Sequence, residues 1–168
     1  MPGISIKPDT LTELQRQFGS ELTNAHAYLS LAIWCDKENF KGFARYFYKQ
    51  VDEERMHAQK LTEHLLDRGA LPAVPAIATP KADFRSLMEV AKQAQAMEAA
   101  TTKGITAVYE AALKEADYPT QVLLQWFINE QVEEEAWTDE MVDRLERATC
   151  AGSLGELDRH IEKYLSGE

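Results

Sequence analysis

Cysteine is scarce in this chain. Only Cys35 and Cys150 occur among 168 residues, far apart and in no Cys-x-x-Cys arrangement. That excludes a structural zinc site built on cysteine clusters and a disulfide framework, and it points to a reducing compartment, the cytoplasm. Long apolar runs are missing as well. No stretch approaches the roughly 18 consecutive apolar residues of a membrane-spanning helix, so no membrane partner is expected. No apolar run follows a basic segment near Met1, so no signal peptide is expected either. Positive charge is in deficit. With 18 Lys and Arg against 28 Asp and Glu the net charge is -10, which argues against nucleic acid as a partner and favours attraction of cations.

What is present is a set of long helical patterns. A chain of this length, 45% hydrophobic and 27% charged, suits one soluble domain spanning residues 1–168 with a sizeable core. Around Asp52-Glu53-Glu54-Arg55-Met56-His57, the residues Phe43, Phe47, Gln50, Glu54, His57, Leu61 and Leu65 recur every three or four positions. This is the stripe a helix buries. Glu54 and His57, three apart, share one face and can reach one atom. A carboxylate in the core is costly unless paired or bound to metal, so the spacing raises a metal question. A lone Glu-x-x-His is also what a half-solvated stripe edge produces; partners on other helices decide.

Those partners are found along the chain. Pro8-Asp9 predicts a helix start, with Asp9 or Thr10 as cap. Leu11, Leu14, Phe18, Leu22, Ala25, Leu29 and Ile33 carry that helix to about Asp36, and Glu21 lies on the stripe that holds Leu14, Phe18, Ala25 and Tyr28. After a turn at Asn39–Gly42, the second helix is expected from Gly42 to Arg68, with Gly69 as its stop. Ala70 to Ala82 contains Pro72, Pro75 and Pro80, so it reads as a long irregular crossover that lets the next helix run parallel to the second. A third helix is expected over Asp83–Ala116, with Leu87, Ala91, Ala94, Glu98, Thr101, Ile105, Val108 and Ala112 inward. A fourth is expected over Pro119–Ala148, with Leu124, Phe127, Gln131, Glu134, Thr138, Met141 and Leu145 inward. Ala151-Gly152-Ser153 reads as a turn. Leu154, Leu157, Ile161 and Leu165 then give a short terminal helix over about 153–165. The fold class is all-α, a four-helix bundle with an appended fifth helix.

Each of the four long helices thus places a polar group at mid-stripe: Glu21; Glu54 and His57; Glu98; Gln131 and Glu134. Four carboxylates packed without metal would repel and drive pKa values up. Two divalent cations would cancel them. Oxygen-rich ligands with one imidazole suit iron or manganese.

In these residues the chain resembles the non-haem bacterial ferritins over nearly its whole length. The resemblance rests on Glu21 in Glu-Leu-Thr-Asn-Ala-His-Ala-Tyr, on Glu-Glu-Arg-Met-His at 53–57, on Glu98, and on Asn-Glu-Gln-Val-Glu-Glu-Glu at 129–135. It implies a ferroxidase: Fe²⁺ bound at a dinuclear centre, oxidised with O₂ or H₂O₂, and stored as a ferric mineral inside a hollow homo-24-mer. By the same resemblance Glu21, Glu54 and His57 hold the first iron, with Glu54 bridging. Glu98 holds the second, helped by Glu134, and Gln131 is a weak ligand or orients water or O₂. Tyr28 lies beside the centre as an electron or hydrogen-bond donor, or is simply a packed core tyrosine. Glu53, Glu130 and Glu133 match a third iron site, or form a solvated acidic face.

Departures narrow the resemblance. The residue three after Glu134 is Trp137, not His, and Arg55 stands where the haem-binding branch has Met. No haem is therefore expected. Gln121 and Leu124 occupy positions that are acidic in the three-fold channel of animal ferritins, which leaves the route of iron ingress open. Two rivals stand beside storage: a di-iron or di-manganese oxidase acting on an organic substrate, and a metal-free bundle whose inward carboxylates are hydrogen-bonded.

Overall fold

The computed structural model describes residues 5–166, with side chains as far as Tyr164. It contains five helices: α1 (Pro8–Lys37), α2 (Lys41–Asp67), α3 (Leu87–Lys114), α4 (Tyr118–Arg147) and α5 (Ala151–Ser166). The inward stripes expected for α2, α3 and α4 are buried throughout. On α1 the expected stripe drifts. Leu29 is half-buried and Ile33 is 54% exposed, while Tyr28, Leu31, Ala32 and Cys35 take the inner positions. A straight helix rotates slightly against a regular repeat, and over this length the apolar residues at 29 and 33 turn outward. The expectation that the Leu165 side chain faces inward lies outside the described side chains, and the lead residues Met1–Ile4 lie outside the described residues.

Helix ends depart from their expected positions for identifiable reasons. Pro8 occupies the first turn of α1, and Lys7 precedes it without a side-chain cap. Neither Asp9 nor Thr10 caps the helix. The Glu115 carboxylate does so from the far end of α3, accepting from the Thr10 N–H at 2.9 Å and the Thr10 hydroxyl at 2.7 Å. Helix α2 begins one residue early, at Lys41, after Asn39 turns the chain with a left-handed φ of 66°. Its stop is as expected. Gly69 has φ +76°, the Ala70 N–H reaches the Leu65 carbonyl at 2.8 Å, and the Gly69 N–H reaches Leu66 at 2.9 Å. This pairing closes the last turn around a left-handed glycine.

Helix α3 starts at Leu87 rather than Asp83. Ser86 caps it by accepting from the Glu89 N–H, and Phe84 is buried instead of helical. Phe84 sits edge-on to Trp34 at 6.1 Å, and the Trp34 indole donates to the Phe84 carbonyl at 3.1 Å. Seating that ring holds residues 83–86 out of the helix and lengthens the crossover. Ala116 adopts a left-handed φ of 55°, so α3 stops at Lys114, and Asp117 caps an α4 that begins at Tyr118. Residues Ala151-Gly152-Ser153 are the first turn of α5, not a loop. The Cys150 N–H donates to Ser153 Oγ at 3.2 Å and the Ser153 N–H to Cys150 Sγ at 3.5 Å, a reciprocal cap.

Helices α1 and α2 form one antiparallel pair and α3 and α4 another. Contacts from Thr10–Glu115 through Asn24–Thr101 to Trp34–Phe84 run α1 antiparallel to α3. Helix α2 therefore lies parallel to α3, as the long crossover allows. Helix α5 packs across α2 and α4 and inserts Leu157 and Ile161 into the core. The apolar core is in two parts. One holds Tyr28, Phe43, Phe47, Val90 and Met141; the other holds Leu14, Phe18, Leu61, Ile105 and Phe127. Glu21, Glu54, His57, Glu98, Thr101, Gln131 and Glu134 lie between them in the helix sequences, and all are buried.

Candidate metal centre

All of the expected inward polar residues reach this layer. Glu21 is fully buried, and Glu54, His57, Glu98, Gln131 and Glu134 are each no more than 3% exposed. Helix geometry accounts for the first cluster. Glu54 and His57 sit one turn apart on α2, and Glu21 faces them from α1. His57 Nδ1 lies 3.8 Å from Glu21 Oε2 and 3.8 Å from Glu54 Oε2. One ligand atom from each of the three residues falls within a 4.8 Å span. The His57 ring is wedged edge-on against Trp126 at 5.5 Å and Phe127 at 5.7 Å, which fixes the imidazole plane.

Glu98 and Gln131 join across α3 and α4. Gln131 Nε2 donates to Glu98 Oε2 at 3.1 Å, to the Glu98 carbonyl at 3.3 Å and to Thr102 Oγ1 at 3.2 Å. The Tyr28 hydroxyl donates to the other Glu98 oxygen in a short hydrogen bond. Tyr28 is thus tied to the cluster and is more than packing. Glu134 sits one turn after Gln131, and its neighbour Thr138 bonds back to the Glu134 carbonyl at 3.0 Å.

Electrostatics show what the cluster lacks. Glu21 Oε2, Glu54 Oε2 and Glu134 Oε2 are buried with no hydrogen-bond partner. A desolvated carboxylate oxygen without a donor costs several kcal/mol or takes up a proton. Burial and the neighbouring Glu21 charge push the Glu54 carboxyl well above the usual range. Burial also pushes Glu21 up, but the adjacent His57 and Glu54 groups and the Gln17 amide outweigh it and hold Glu21 below its ordinary value. Glu98 is raised by burial, against the pull of Tyr28 and Gln131. Glu134 is raised by burial and by the charges of Glu98, Glu53 and Glu130, to about 9. Of the side chains in the cluster, only His57 can carry positive charge. A cation would supply what these oxygens lack, and hard oxygen donors with one imidazole are the donor set of first-row divalent metals.

The three outer acids are placed less closely. Glu53 is half-buried, accepts from Gln50 Nε2 and pairs loosely with Lys49 at 3.7 Å. Glu130 is half-buried, and Glu133 is exposed. The three-residue metal grouping among the described residues includes none of them.

Two residues of the layer are not among those the sequence pattern singles out. Gln17 is 1% exposed and donates from Nε2 to Glu21 Oε1 at 2.7 Å. Gly104 leaves it room, since a Cβ there would come within 2.2 Å of Gln17 Oε1. Gln17 does carry a signal: it lies four residues before Glu21, one turn up the same face. Thr102, which accepts from Gln131, lies beside the α3 stripe and carries no comparable signal.

The crossover topology and the buried carboxylate–imidazole layer together define a ferritin-like metal-carboxylate bundle. The family described as "Ferritin-like domain" matches residues 11–148. The chain belongs to the ferritin family of iron-storage proteins. It is 39% identical over 142 residues to a bacterial non-heme ferritin of Staphylococcus aureus, covering 84% of this chain and 86% of the relative. A bacterial non-heme ferritin of Staphylococcus epidermidis is 37% identical over the same shares. Among solved structures, an open pore ferritin from the hyperthermophilic archaeon Archaeoglobus fulgidus superimposes with a TM-score of 0.90 at 32% identity, over 94% of this chain and 97% of that one. Among the described residues no helix is long and apolar enough to cross a membrane.

Proposed function

We propose that this ferritin takes Fe²⁺ as substrate at a dinuclear ferroxidase centre, oxidises it with O₂ or H₂O₂, and deposits Fe³⁺ inside a hollow homo-24-mer of single-domain subunits. The observation that carries this reading is the buried grouping of Glu21, Glu54 and His57, with carboxylate oxygens that no protein donor satisfies. Glu21 and His57 hold one ion and Glu54 bridges to the second. Glu98 and Glu134 hold that second ion. Gln131 orients the Glu98 carboxylate, and Tyr28 donates a hydrogen bond to it. The electrons balance simply: two ferrous ions give up two, and dioxygen takes them with two protons and leaves as hydrogen peroxide. Peroxide as oxidant takes two electrons and two protons and leaves as two waters.

Shell assembly draws support from the outer face of α1. Leu29, Ile33 and Trp34 there, with Pro80 and Phe84 of the crossover, form the apolar part of a groove of about 700 Å³ whose lining includes none of the buried acids and whose edges carry Lys37, Glu38, Asp83 and Arg85. Apolar surface of this kind marks protein contacts. An oxidase of organic substrates would want a pocket of roughly 300–1,000 Å³ beside the metals. Among the described residues, a cavity of about 180 Å³ reaches Gln131, smaller than such a pocket.

Aerobic addition of Fe²⁺ to the apoprotein, in excess over two ions per chain, tests the reading. Rapid ferric absorbance with iron co-eluting in a very large particle is expected. Oxidation that stops at two ions per chain in a small oligomer would leave an oxidase and remove storage.

Cation binding should also expel protons. A carboxyl raised by burial holds its proton below its pKa, and a bound cation favours the anion. Glu54 is raised, and Glu134 stands at about 9. Titration with redox-inert Zn²⁺ in a pH-stat at pH 7 is therefore expected to release protons. The share of that release that comes from Glu134 should fade above about pH 9. No release at neutral pH would mean that these carboxyls are not displaced by the ion.

Glu53, Glu130 and Glu133 form the proposed third site. Replacing Glu130 by alanine should leave rapid uptake of the first two ions intact and change the later turnover. Superimposable full time courses would dismiss a third site.

A further inference from the structure

On the groove between α3 and α4, a cavity of about 180 Å³ is lined by Thr102, Ile105, Thr106, Ile128, Gln131, Val132 and Glu135. Gln131 is among its lining residues, and its amide donates to the Glu98 carboxylate at 3.1 Å. The cavity therefore lies one residue away from a carboxylate of the metal centre. We propose that it is the port by which dioxygen reaches the centre. The inference rests on the ferroxidase reading above.

The chemistry of the walls selects the occupant. Ile105, Ile128 and Val132 are aliphatic. Thr106 has its hydroxyl committed to the Thr102 carbonyl at 2.8 Å, so it offers no donor inward. The remaining polar groups of the lining are the Thr102 hydroxyl and the Gln131 amide, both neutral and bonded to each other at 3.2 Å. Glu135, half-buried, is the single charged group in the lining. A divalent cation would have to shed water for neutral ligands on this path, at a cost that neutral donors repay poorly. The carboxylate oxygens without partners belong to Glu21, Glu54 and Glu134, none of which lines the cavity. An apolar pocket with few polar groups instead suits a small neutral molecule, and apolar cavities take up such gases readily. Cation and oxidant thus approach separately. The oxidant arrives beside Gln131, where Glu98 would hold one of the two ions.

Val132 allows a clean test, because it is 68% exposed at the rim and contributes nothing to the buried layer. The series Val132→Ala, wild type and Val132→Phe widens and then blocks the mouth without burdening the fold. Initial oxidation rates would be measured on the assembled protein across dissolved oxygen concentrations at saturating Fe²⁺. The KM for oxygen should fall in Val132→Ala. It should rise severalfold in Val132→Phe, because a narrowed mouth slows entry of the oxidant alone. The rate extrapolated to saturating oxygen should stay at the wild-type value. Anaerobic Co²⁺ binding, read by its visible absorption, should be the same in all three, which a merely structural disturbance of the centre would not leave. Xenon under pressure should occupy the cavity in wild type and not in Val132→Phe.

Parallel runs with H₂O₂ separate the oxidants. Slowing with dioxygen, whether or not peroxide is slowed too, supports the port. Slowing with peroxide alone, or an oxygen dependence that coincides with wild type although xenon is excluded, overturns it. A wild-type protein that oxidises no iron would sink the proposed function itself. A wild type that oxidises iron, with a Val132→Phe variant whose oxygen dependence is unchanged, would sink only the port.

Discussion

Replacing Glu54 by alanine is expected to abolish rapid iron oxidation, with the initial ferric absorbance rate in stopped flow falling at least about a hundredfold. Glu54 stands 3.8 Å from His57 and is the group on which the charges of Glu21 and Glu98 both act. As the proposed bridge it fixes the separation of the two ions. Misplacing reacting centres by about 1 Å is enough to cost around two orders of magnitude. Unchanged initial rates would count directly against the assigned site. The isosteric Glu54→Gln divides chemistry from stability more sharply. It keeps the volume and removes a buried carboxyl that burial and Glu21 both destabilise as an anion. Its apoprotein should melt at least as high as wild type, at about 2–4 °C per kcal/mol gained in a chain of this size, while oxidation stays impaired. A site whose loss of function comes with a gain in stability is held for binding and not for folding.

The same residues explain why so much of the centre is legible in the sequence alone. A carboxylate on an apolar stripe contradicts its surroundings, and the contradiction is visible in one dimension as spacing. Glu21, Glu54, His57, Glu98, Gln131 and Glu134 all announce themselves this way, because each sits three, four or seven positions from core residues of its own helix. Tyr28 is ambiguous by spacing, since a packed core tyrosine has the same register; only the hydrogen bond to Glu98 separates the two roles. The helix ends are less legible because their causes are remote in sequence. Glu115 caps α1 from 105 residues away, and Phe84 delays α3 because Trp34 on α1 offers it a seat. Ile33 fits the core stripe by its apolar character, yet its face of α1 carries the outer groove. Apolarity marks burial somewhere, and it does not say whether the covering partner is this chain or another copy.

Replacing Gly42 by alanine is expected to give a large loss of stability for one added methyl group, with little change in the oxidation chemistry. A Cβ at Gly42 would lie 1.6 Å from the Asp158 carbonyl oxygen. That atom is backbone in the middle of α5, so no rotamer change can relieve the clash. Helix α5 must move away from α2, and two further contacts go with it. Asp158 Oδ1 accepts from the Gly42 N–H at 3.0 Å and the Phe43 N–H at 3.1 Å, capping the start of α2. Leu157 and Ile161 also leave the cluster that holds Phe43. Overpacking costs about 1–3 kcal/mol and a lost cap about 1 more, so a melting temperature lower by very roughly 5–15 °C is expected. Asp158→Ala keeps the close backbone approach and removes only the cap, so it should cost about 1 kcal/mol. Differential scanning calorimetry of the two variants separates the contributions. Equal melting temperatures would show that the close approach carries no weight and that α5 is held by its apolar face alone. The turns of α1 and α2 that carry Glu21, Glu54 and His57 lie about three turns further along from this contact. Iron oxidation by the folded Gly42→Ala protein should therefore run near the wild-type rate below its melting range, the reverse of what Glu54→Gln does.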